Sequence, residues 1–248
     1  VVIFVVLRFM FTERIVTEIN NTVAHEVYGL KSSLNSISEN TLDASVTISS
    51  LPEVVKSFKQ LDLGAELEAV GDSIKKGIEQ IDKAKQRFLP NNPRVTIYST
   101  IGQVLYRSYS PLRFDYIGVD KAELVEMLSI RKPIAGLGVG KSGVELLSVS
   151  PIFDQESSTI IGVVQVAISP SSFISSIKET ENEEFALFVL DEYYSQISPL
   201  LSIKSDEPLY KGRFVFLEQS SRNFKLTKID GETLNSVIAN DEEVSFQS

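Results

Sequence analysis

The chain has 248 residues, of which 43% are hydrophobic, and it carries a formal net charge of −9 with a sequence pI of about 4.8. This length and composition allow one large domain or two small ones with a sizeable core. The acidic balance argues against nucleic acid as a partner, because phosphate binding needs a basic face. Cysteine is absent and His25 is the only histidine, which excludes disulfides, thiolate metal sites, histidine-based triads and multi-histidine zinc sites. We therefore expect no cofactor and no metal.

The N-terminal segment VVIFVVLRFMF is apolar apart from Arg8. A bilayer span needs about 20 apolar residues, so this run is too short to cross a membrane alone. We expect residues 1–11 to be the end of a transmembrane helix that starts upstream, which makes the membrane a partner of this segment. A buried strand or a buried helix end is the alternative.

Residues 12–90 are predicted to be helical. A single helix over 12–50 would be roughly 57 Å long at a rise of 1.5 Å per residue. Such a helix needs a partner helix or a second subunit to cover its apolar stripe. Pro52 suits the first turn of a second helix, and a further helix is predicted from about Gly64 to Phe88. Apolar residues recur at helical spacing in the first part of this region: Ile15, Ile19, Val23, Val27, Leu30, Leu34 and Ile37.

Strand patterns begin at Arg94. The alternation of apolar and polar residues predicts an antiparallel hairpin made of RVTIYST and QVLYRSYS. A short helix over 120–130 is predicted to follow, with Glu123 at the capping-box position of its first turn.

The two segments GVELLSVSPIF and TIIGVVQVAIS are predicted to form a second antiparallel pair, because the polar DQESS loop between them has hairpin length. Residues 181–248 are predicted to form a second, smaller α/β unit. Its strand candidates are FALFVLDEYY and the pair GRFVFLEQ and FKLTKI.

A possible phosphate-binding loop lies at AGLGVGKS, residues Ala135–Ser142, and Asp191 stands in the kind of acidic strand that holds magnesium in such enzymes. A phosphate-binding loop lies between a strand and a long helix. Only seven residues separate Gly143 from Pro151, and they alternate as a strand does. No room is left for the helical crossover of a parallel sheet, so the spacing argues against a phosphate loop.

The middle of the chain resembles the Cache family, the PAS-like extracytoplasmic sensor domains of chemoreceptors and sensor kinases. The resemblance covers about residues 12–180 and is closest to the double-Cache type, in which a second, membrane-proximal lobe follows. Three segments carry it, in the order in which the family has them: ASVTISSLPEVVKSFKQLD, RVTIYSTIGQVLYRSYSPLRFDYIG and AGLGVGKSGVELLSVSPIFDQESSTIIGVVQVAIS.

The resemblance implies an α+β fold, in which a long N-terminal stem helix packs on a PAS-like antiparallel-sheet domain and a second, smaller α/β lobe follows. The divisions would be a transmembrane end at 1–11, the stem helix and a second helix at 12–90, the ligand-sensing domain at 91–180 and the lobe at 181–248. We expect that lobe to stop before its usual closing strands. The resemblance also implies a homodimer with parallel stems and a location outside the cytoplasm.

Residues of a ligand site are implied by the same resemblance. In related sensors the pocket lies between the inner face of the sheet, the loop after the first hairpin and the short helix. Carboxylate-binding members use an arginine and a histidine on the second hairpin strand, with basic or hydroxyl residues on later strands. Arg107 holds the arginine position, Ser110 replaces the histidine and Ser148 is a hydroxyl residue on a later strand. Other members bind amines through acidic residues, a role open to Glu145.

A physical argument points to overlapping residues. Arg107, Tyr109 and Arg113 lie within seven residues, and Lys141 lies on a nearby strand. In an acidic protein this basic group suits a carboxylate, which arginine binds through two parallel hydrogen bonds. Arg107 and Tyr109 have the same strand parity and so share a face. The alternative is that the arginines are solvated or pair with a nearby carboxylate such as Asp115.

Three functions are compatible with these patterns. The leading hypothesis is the extracytoplasmic sensing region of a membrane receptor, a chemoreceptor first and a sensor histidine kinase next, which binds an organic acid, an amino acid or an amine and does no chemistry. The second is a membrane-anchored nucleotide hydrolase built on Lys141, Ser142 and Asp191, which a helix from Gly143 to about Ile152 would favour. The third is a structural module that dimerises through its stem helices and binds no ligand.

Overall fold

The computed structural model divides the described chain into two compact units. The central unit comprises Ser36–Gly138 and Leu146–Ile168, and the terminal unit comprises Val1–Asn35, Val139–Glu145 and Ser169–Ser248. The residues that the structure describes are 2–6, 16–85, 93–110, 115–117, 122–140, 143–177, 185–192, 194, 210–219, 231–232 and 235.

The described part of the predicted helical region forms three helices: α1 (Val16–Ser49), α2 (Pro52–Asp62) and α3 (Leu67–Lys85). The break after α1 lies at Leu51, whose extended backbone (φ −63°, ψ 130°) is the conformation that a following proline favours. Pro52 then opens α2 at a position where its missing N–H costs little. Beyond the end of α2, Gly64 has a φ of +90°, which glycine adopts without strain. The predicted helices and the break at Pro52 are confirmed within the described residues.

A five-stranded sheet follows, and α4 (Ala122–Ile130) lies between its second and third strands in the chain. The strands are β2 (Arg94–Ser99), β3 (Val104–Arg107), β4 (Ile134–Gly140), β5 (Gly143–Phe153) and β6 (Ile160–Ile168). Their spatial order is β3-β2-β6-β5-β4. Pairing is antiparallel between β2 and β3, between β2 and β6, and between β5 and β6. Both predicted hairpins are therefore confirmed.

One face of this sheet, called here the helix face, packs within the central unit against α2, α3 and the C-terminal part of α1. Phe58 of α2 is 2% exposed, and Gly162 of β6 lies directly beneath its ring. The glycine leaves the space that the ring occupies. The core of this face consists of Ile48, Val54, Val55, Phe58, Val70, Ile74, Ile78, Val95, Ile97, Leu105, Tyr106, Ile152, Val164 and Val166.

Buried hydroxyl groups join α1 to β5 on the helix face. The Ser148 hydroxyl donates to the carbonyl oxygen of Thr41 at 2.8 Å, and the hydroxyl oxygens of Ser45 and Ser150 lie 2.6 Å apart. All four residues are fully buried. We call Thr41, Ser45, Ser148 and Ser150 the hydroxyl strip. Its small side chains allow the helix and the strand to approach closely, and its hydrogen bonds satisfy the buried polar atoms.

The opposite face of the sheet, called here the α4 face, is covered by α4. Cross-strand pairing places Tyr98, Val163 and Pro151 in one row of this face. Leu124 and Met127 of α4 pack on it and are almost completely buried. The core of this face consists of Tyr98, Val104, Leu124, Met127, Leu147, Val149, Val163 and Ala167.

The loop between β5 and β6 is tied to α2 by ion pairs. Lys59 Nζ lies 2.9 Å from Asp154 Oδ1 and 2.8 Å from Glu156 Oε1. Asp154 Oδ2 also accepts hydrogen bonds from the Ser157 hydroxyl at 2.6 Å and from the Ser157 N–H at 3.1 Å. The Ser157 hydroxyl and the Lys59 ammonium stabilise the carboxylate and hold the pKa of Asp154 well below its ordinary value.

This carboxylate should make the stability of the central unit depend on pH in the acid range. Because the folded-state pKa is lowered, the stabilisation is present above the ordinary value of 3.8 and is lost as the pH falls below it. We expect the melting temperature of the wild type to fall more steeply than that of Asp154→Asn between about pH 5 and about pH 3. Thermal melts followed by circular dichroism measure both curves. Parallel curves would contradict the role given to Asp154.

The terminal unit contains a four-stranded sheet and the helix α5 (Pro170–Ile177). The strands are β1 (Val2–Val6), β7 (Phe185–Leu190), β8 (Tyr210–Lys211) and β9 (Phe214–Gln219), in the spatial order β1-β7-β9-β8. All residues of β7 are buried, and the rings of Phe188 and Phe216 meet edge to face at 5.8 Å. The predicted strands at FALFVL and GRFVFLEQ are confirmed. The described partners of β9 are β7 and β8, and FKLTKI lies outside the described residues.

The prediction of a helix end at the N-terminus is wrong for Val2–Val6, which form a strand. This strand pairs antiparallel with β7, from Val2 opposite Val189 to Val6 opposite Phe185. The physical reason is composition, because consecutive β-branched and aromatic residues favour extended backbone once a partner strand is present. In the part of the chain that the structure describes, no helix is both long and apolar enough to cross a membrane. Residues 7–11 lie outside that part.

Candidate functional site

Polar side chains form a row across the otherwise apolar α4 face. Arg107 of β3 stands opposite Thr96 of β2, and Thr96 stands opposite Gln165 of β6. Directly opposed residues of antiparallel strands point to the same face. The row continues on β5 with Val149, which is opposite Gln165. A guanidinium, a hydroxyl and an amide therefore lie side by side on the α4 face.

Arg107 is held by a carboxylate of its own chain. Its Nη1 and Nη2 atoms donate to Asp115 Oδ1 and Oδ2 at 2.7 and 3.0 Å, a bidentate pair. The Arg107 side chain is 9% exposed and that of Asp115 is 45% exposed. Backbone hydrogen bonds keep Asp115 in place, because Val104 N donates to Asp115 O and Ile117 N donates to Gly102 O, both at 2.9 Å. The ligand role of Arg107 stays a prediction, while its alternative, the ion pair, is present in the structure.

Tyr109 returns to the same row although β3 ends before it. At Ser108 the chain bends, with Ser108 N donating to Val95 O and Val95 N donating to the Ser108 hydroxyl, both at 2.9 Å. The hydroxyl oxygen of Tyr109 then lies 3.2 Å from that of Thr96. The Arg94 guanidinium lies 5.5 Å from the centre of the Tyr109 ring. Ser110 follows and is half-buried.

Tyr98 of β2 and Glu123 of α4 are two further polar residues, and the sequence patterns did not mark either as a site. Tyr98 is 1% exposed, two residues along β2 from Thr96 and therefore about 7 Å away. Burial raises the pKa of the Tyr98 hydroxyl, and the charge of Glu123 raises it further. Glu123 lies in the first turn of α4, and its Oε1 atom is shielded from solvent. The sequence signal at Glu123 was its capping-box position in α4, and helix capping alone would also explain a glutamate there.

The remaining sequence-predicted residues are Arg113, Lys141, Glu145 and Ser148. Arg113 and Lys141 lie outside the described residues. Glu145 is buried on β5 and belongs to the terminal unit. Ser148 points to the helix face, where its hydroxyl donates to the carbonyl oxygen of Thr41. Its ligand role stays a prediction.

The geometry of a phosphate-binding loop is absent after Gly143. Residues Gly143–Phe153 form the strand β5, which pairs antiparallel with β6, where a nucleotide-binding loop would need a helix. Within the described ranges, no group of three or more histidine, cysteine or acidic side chains could hold a metal ion. The predicted objection to a phosphate loop is confirmed.

No family model matches the chain, and no curated protein matches it in sequence. Solved structures do match it. The sensor domain of the histidine kinase DctB from V. cholerae aligns with a TM-score of 0.50 and 16% identity, over 70% of this chain and 64% of that one. The E. coli DcuS sensor domain gives 0.41 and 13%, over 59% and 98%. The periplasmic domain of Vibrio cholerae LuxQ gives 0.42 and 11%, over 77% and 82%.

The similarity to the DctB sensor domain shows a shared fold. Helices at the N-terminus and a five-stranded antiparallel sheet are the elements of the PAS-like sensor domains. The predicted α+β, Cache-like fold is thus confirmed. The division into two Cache lobes stays a prediction.

Proposed function

We propose that this chain is the extracytoplasmic small-molecule sensing region of a membrane-bound signalling receptor. The ligand binds on the α4 face, and the chain catalyses no reaction. It acts as a homodimer with parallel stem helices, and its N-terminal segment leads to the membrane. A chemoreceptor is the first choice for the attached output and a sensor histidine kinase the second. The fold shared with the DctB sensor domain supports a sensing role.

The observation that carries this proposal is the set of polar side chains buried on the α4 face. Thr96 is 6% exposed, Tyr98 1% and the Arg107 side chain 9%. Burying polar groups among apolar ones costs free energy, so a plain core would exclude them. Ligand sites combine apolar walls with a few placed polar groups, and this face has that composition.

A path from this face to the stem helix exists within the central unit. Val149 of β5 borders the polar row, while its neighbours Ser148 and Ser150 contact α1 through the hydroxyl strip. A ligand that displaces β5 therefore displaces contacts of α1. Small shifts of packed elements of this kind are a common form of switching.

A thermal-shift screen of the full chain tests the proposal, with organic acids, amino acids, amines, purines and ATP with magnesium as probes. A ligand at 100 times its dissociation constant stabilises by about 2.7 kcal/mol, which is readily visible as a shift in melting temperature. We expect a hit whose shift is reduced in Thr96→Val and in Gln165→Leu, because both variants remove a polar group of the row.

Ser129→Ala on the exposed side of α4 is the matched control and should keep the full shift. A screen without hits would count against a sensing role. Hits that neither row variant changes would place the ligand elsewhere. A hit with ATP and magnesium alone would favour the hydrolase instead.

A further inference from the structure

We propose that the loop between β5 and β6, residues 154–159, is a mechanical link between α4 and α2, the helices on opposite faces of the sheet. The loop contacts the end of α4 through Arg131 and contacts α2 through Lys59, so that breaking the contact at one end loosens the helix at the other. All of these residues belong to the central unit. The link goes beyond the sensing role and exists with or without a bound ligand.

The α4 end of the link is the side chain of Arg131, the residue that directly follows this helix. Its Nη2 atom donates to the carbonyl oxygen of Ser158 at 2.5 Å, and its guanidinium lies 5.9 Å from the centre of the Phe153 ring. Phe153 is the last residue of β5, directly before the loop. The guanidinium therefore holds the strand end by a cation–π contact and the far side of the loop by a charged hydrogen bond.

The two residues of this hydrogen bond both have left-handed backbone. Arg131 has a φ of +57° and Ser158 a φ of +55°, and no other non-glycine residue in the described part of the chain has a positive φ. This conformation is costly for residues with a side chain and persists where surrounding contacts compensate for it. Glycine would form the same turn after α4 without strain. An arginine at this position therefore depends on what its side chain contacts.

The α2 end of the link is Lys59, whose ammonium pairs with the carboxylates of Asp154 and Glu156. Asp154 connects the two ends of the link. Its carboxylate holds Lys59, and its carbonyl oxygen accepts a hydrogen bond from Ser158 N at 2.9 Å. Asp154 N donates to the carbonyl oxygen of Thr159, also at 2.9 Å, which closes the loop. An exposed ion pair alone stabilises little, but here the ion pairs hold a loop that is already ordered by its own hydrogen bonds.

The contacts thus run without a gap from α4 to α2. They pass from Arg131 to Ser158, from Ser158 to Asp154 and from Asp154 to Lys59, around the end of the β5–β6 hairpin. Contiguous contacts of this kind can carry energetic coupling between elements that do not touch. A ligand that lifts α4 would loosen α2 by this route, in addition to any effect on α1 through the hydroxyl strip.

Hydrogen–deuterium exchange of the full chain, measured by mass spectrometry of its peptides, tests the link. Exchange of the α2 amides reports how often that helix opens. We expect Arg131→Met to raise exchange in α2 by about threefold or more, although Arg131 lies beyond the end of α4. Lys59→Met should raise exchange in α4 in the same way. In the double variant the two effects should not multiply, because either substitution alone already breaks the link.

Arg131→Gly separates the link from a role in ending α4. Glycine suits the left-handed turn better than arginine does, so the end of the helix should be no weaker. The loss of the guanidinium should nevertheless raise exchange in α2 as much as Arg131→Met does. Lys132→Met is the matched control, because it removes one positive charge from the neighbouring exposed residue and should leave exchange in α2 unchanged.

Three other results would each overturn the inference and leave the sensing role untouched. Wild-type exchange in α2 of Arg131→Gly or Arg131→Met would show that α2 does not depend on Arg131. Effects that multiply in the double variant would show two independent contacts. An equal rise of exchange in α2, α3 and β2 would show a general loss of stability in place of a link.

Discussion

Replacing Gly162 with valine should lower the free energy of unfolding of the central unit by about 3 kcal/mol. A side chain at this position would meet the Phe58 ring, with a Cβ overlapping two ring atoms and standing 3.0 Å from Cε2. Neither partner has room to move away. Gly162 is paired on both sides, with Ser99 and Ile152, and Phe58 is packed in the helix-face core.

Urea unfolding followed by circular dichroism measures this loss. Gly136→Val is the matched control, because a Cβ at Gly136 meets nothing within 4 Å. Phe58→Ala alone should cost about 3–5 kcal/mol, and the double variant with Gly162→Val should cost clearly less than the sum, because the added side chain fills the vacated space. Equal stability of Gly162→Val and Gly136→Val would contradict the packing described for α2.

Ser45→Ala should destabilise the central unit more than Ser150→Ala, although the two hydroxyls bond each other. Without Ser45, the buried Ser150 hydroxyl loses the partner seen in the structure, which costs about 1–3 kcal/mol. Without Ser150, the Ser45 hydroxyl still donates to the carbonyl oxygen of Leu42 at 2.8 Å. That substitution should therefore cost about 1 kcal/mol or less.

The double variant should be more stable than Ser45→Ala alone, because it leaves no unsatisfied hydroxyl at this contact. Ser49→Ala is the control on the same helix, since the Ser49 hydroxyl bonds only locally, to Val46 O at 2.9 Å. Its effect should stay within about 0.5 kcal/mol. Strictly additive effects of the two alanines would show that the hydroxyls of α1 and β5 do not interact.

Local patterns were sufficient to predict most of the central unit. The alternation in GVELLSVSPIF and the short DQESS loop predicted the β5–β6 hairpin and argued correctly against a phosphate loop. Pro52 predicted the break between α1 and α2, because a proline disfavours helical backbone in the residue before it, here Leu51. The hairpin and the helix break are determined by residues that are close together in the sequence, so a single sequence is enough to predict them.

The N-terminal strand was predicted only as an alternative, because a short apolar run has no period that separates strand from helix. Val2–Val6 became a strand through pairing with β7, far away in the sequence. The position of Ser148 has a related origin, because which face is covered by α4 and which by α1 is a property of the assembled sheet.

The candidate site shows the same limit. Asp115 was named as a partner of Arg107, but only the backbone bonds of residues 102–117 decide that the pair forms. Tyr98 lies on β2 and Glu123 on α4, so their proximity depends on how that helix packs on the sheet. Local sequence patterns therefore could not predict the contacts between side chains on different helices, strands and loops.

The strand order has a consequence for how this molecule is made. α2 and α3 are consecutive and can pack as soon as both have been synthesised. β2, by contrast, pairs with β6, where Val95 meets Val166, about 70 residues later. The β2–β3 and β5–β6 hairpins join into one sheet only through that closure, which also completes the row of Arg107, Thr96 and Gln165. During synthesis α2 and α3 are therefore complete before the sheet, and β2 lacks the strand that pairs with its inner edge until β6 has been synthesised.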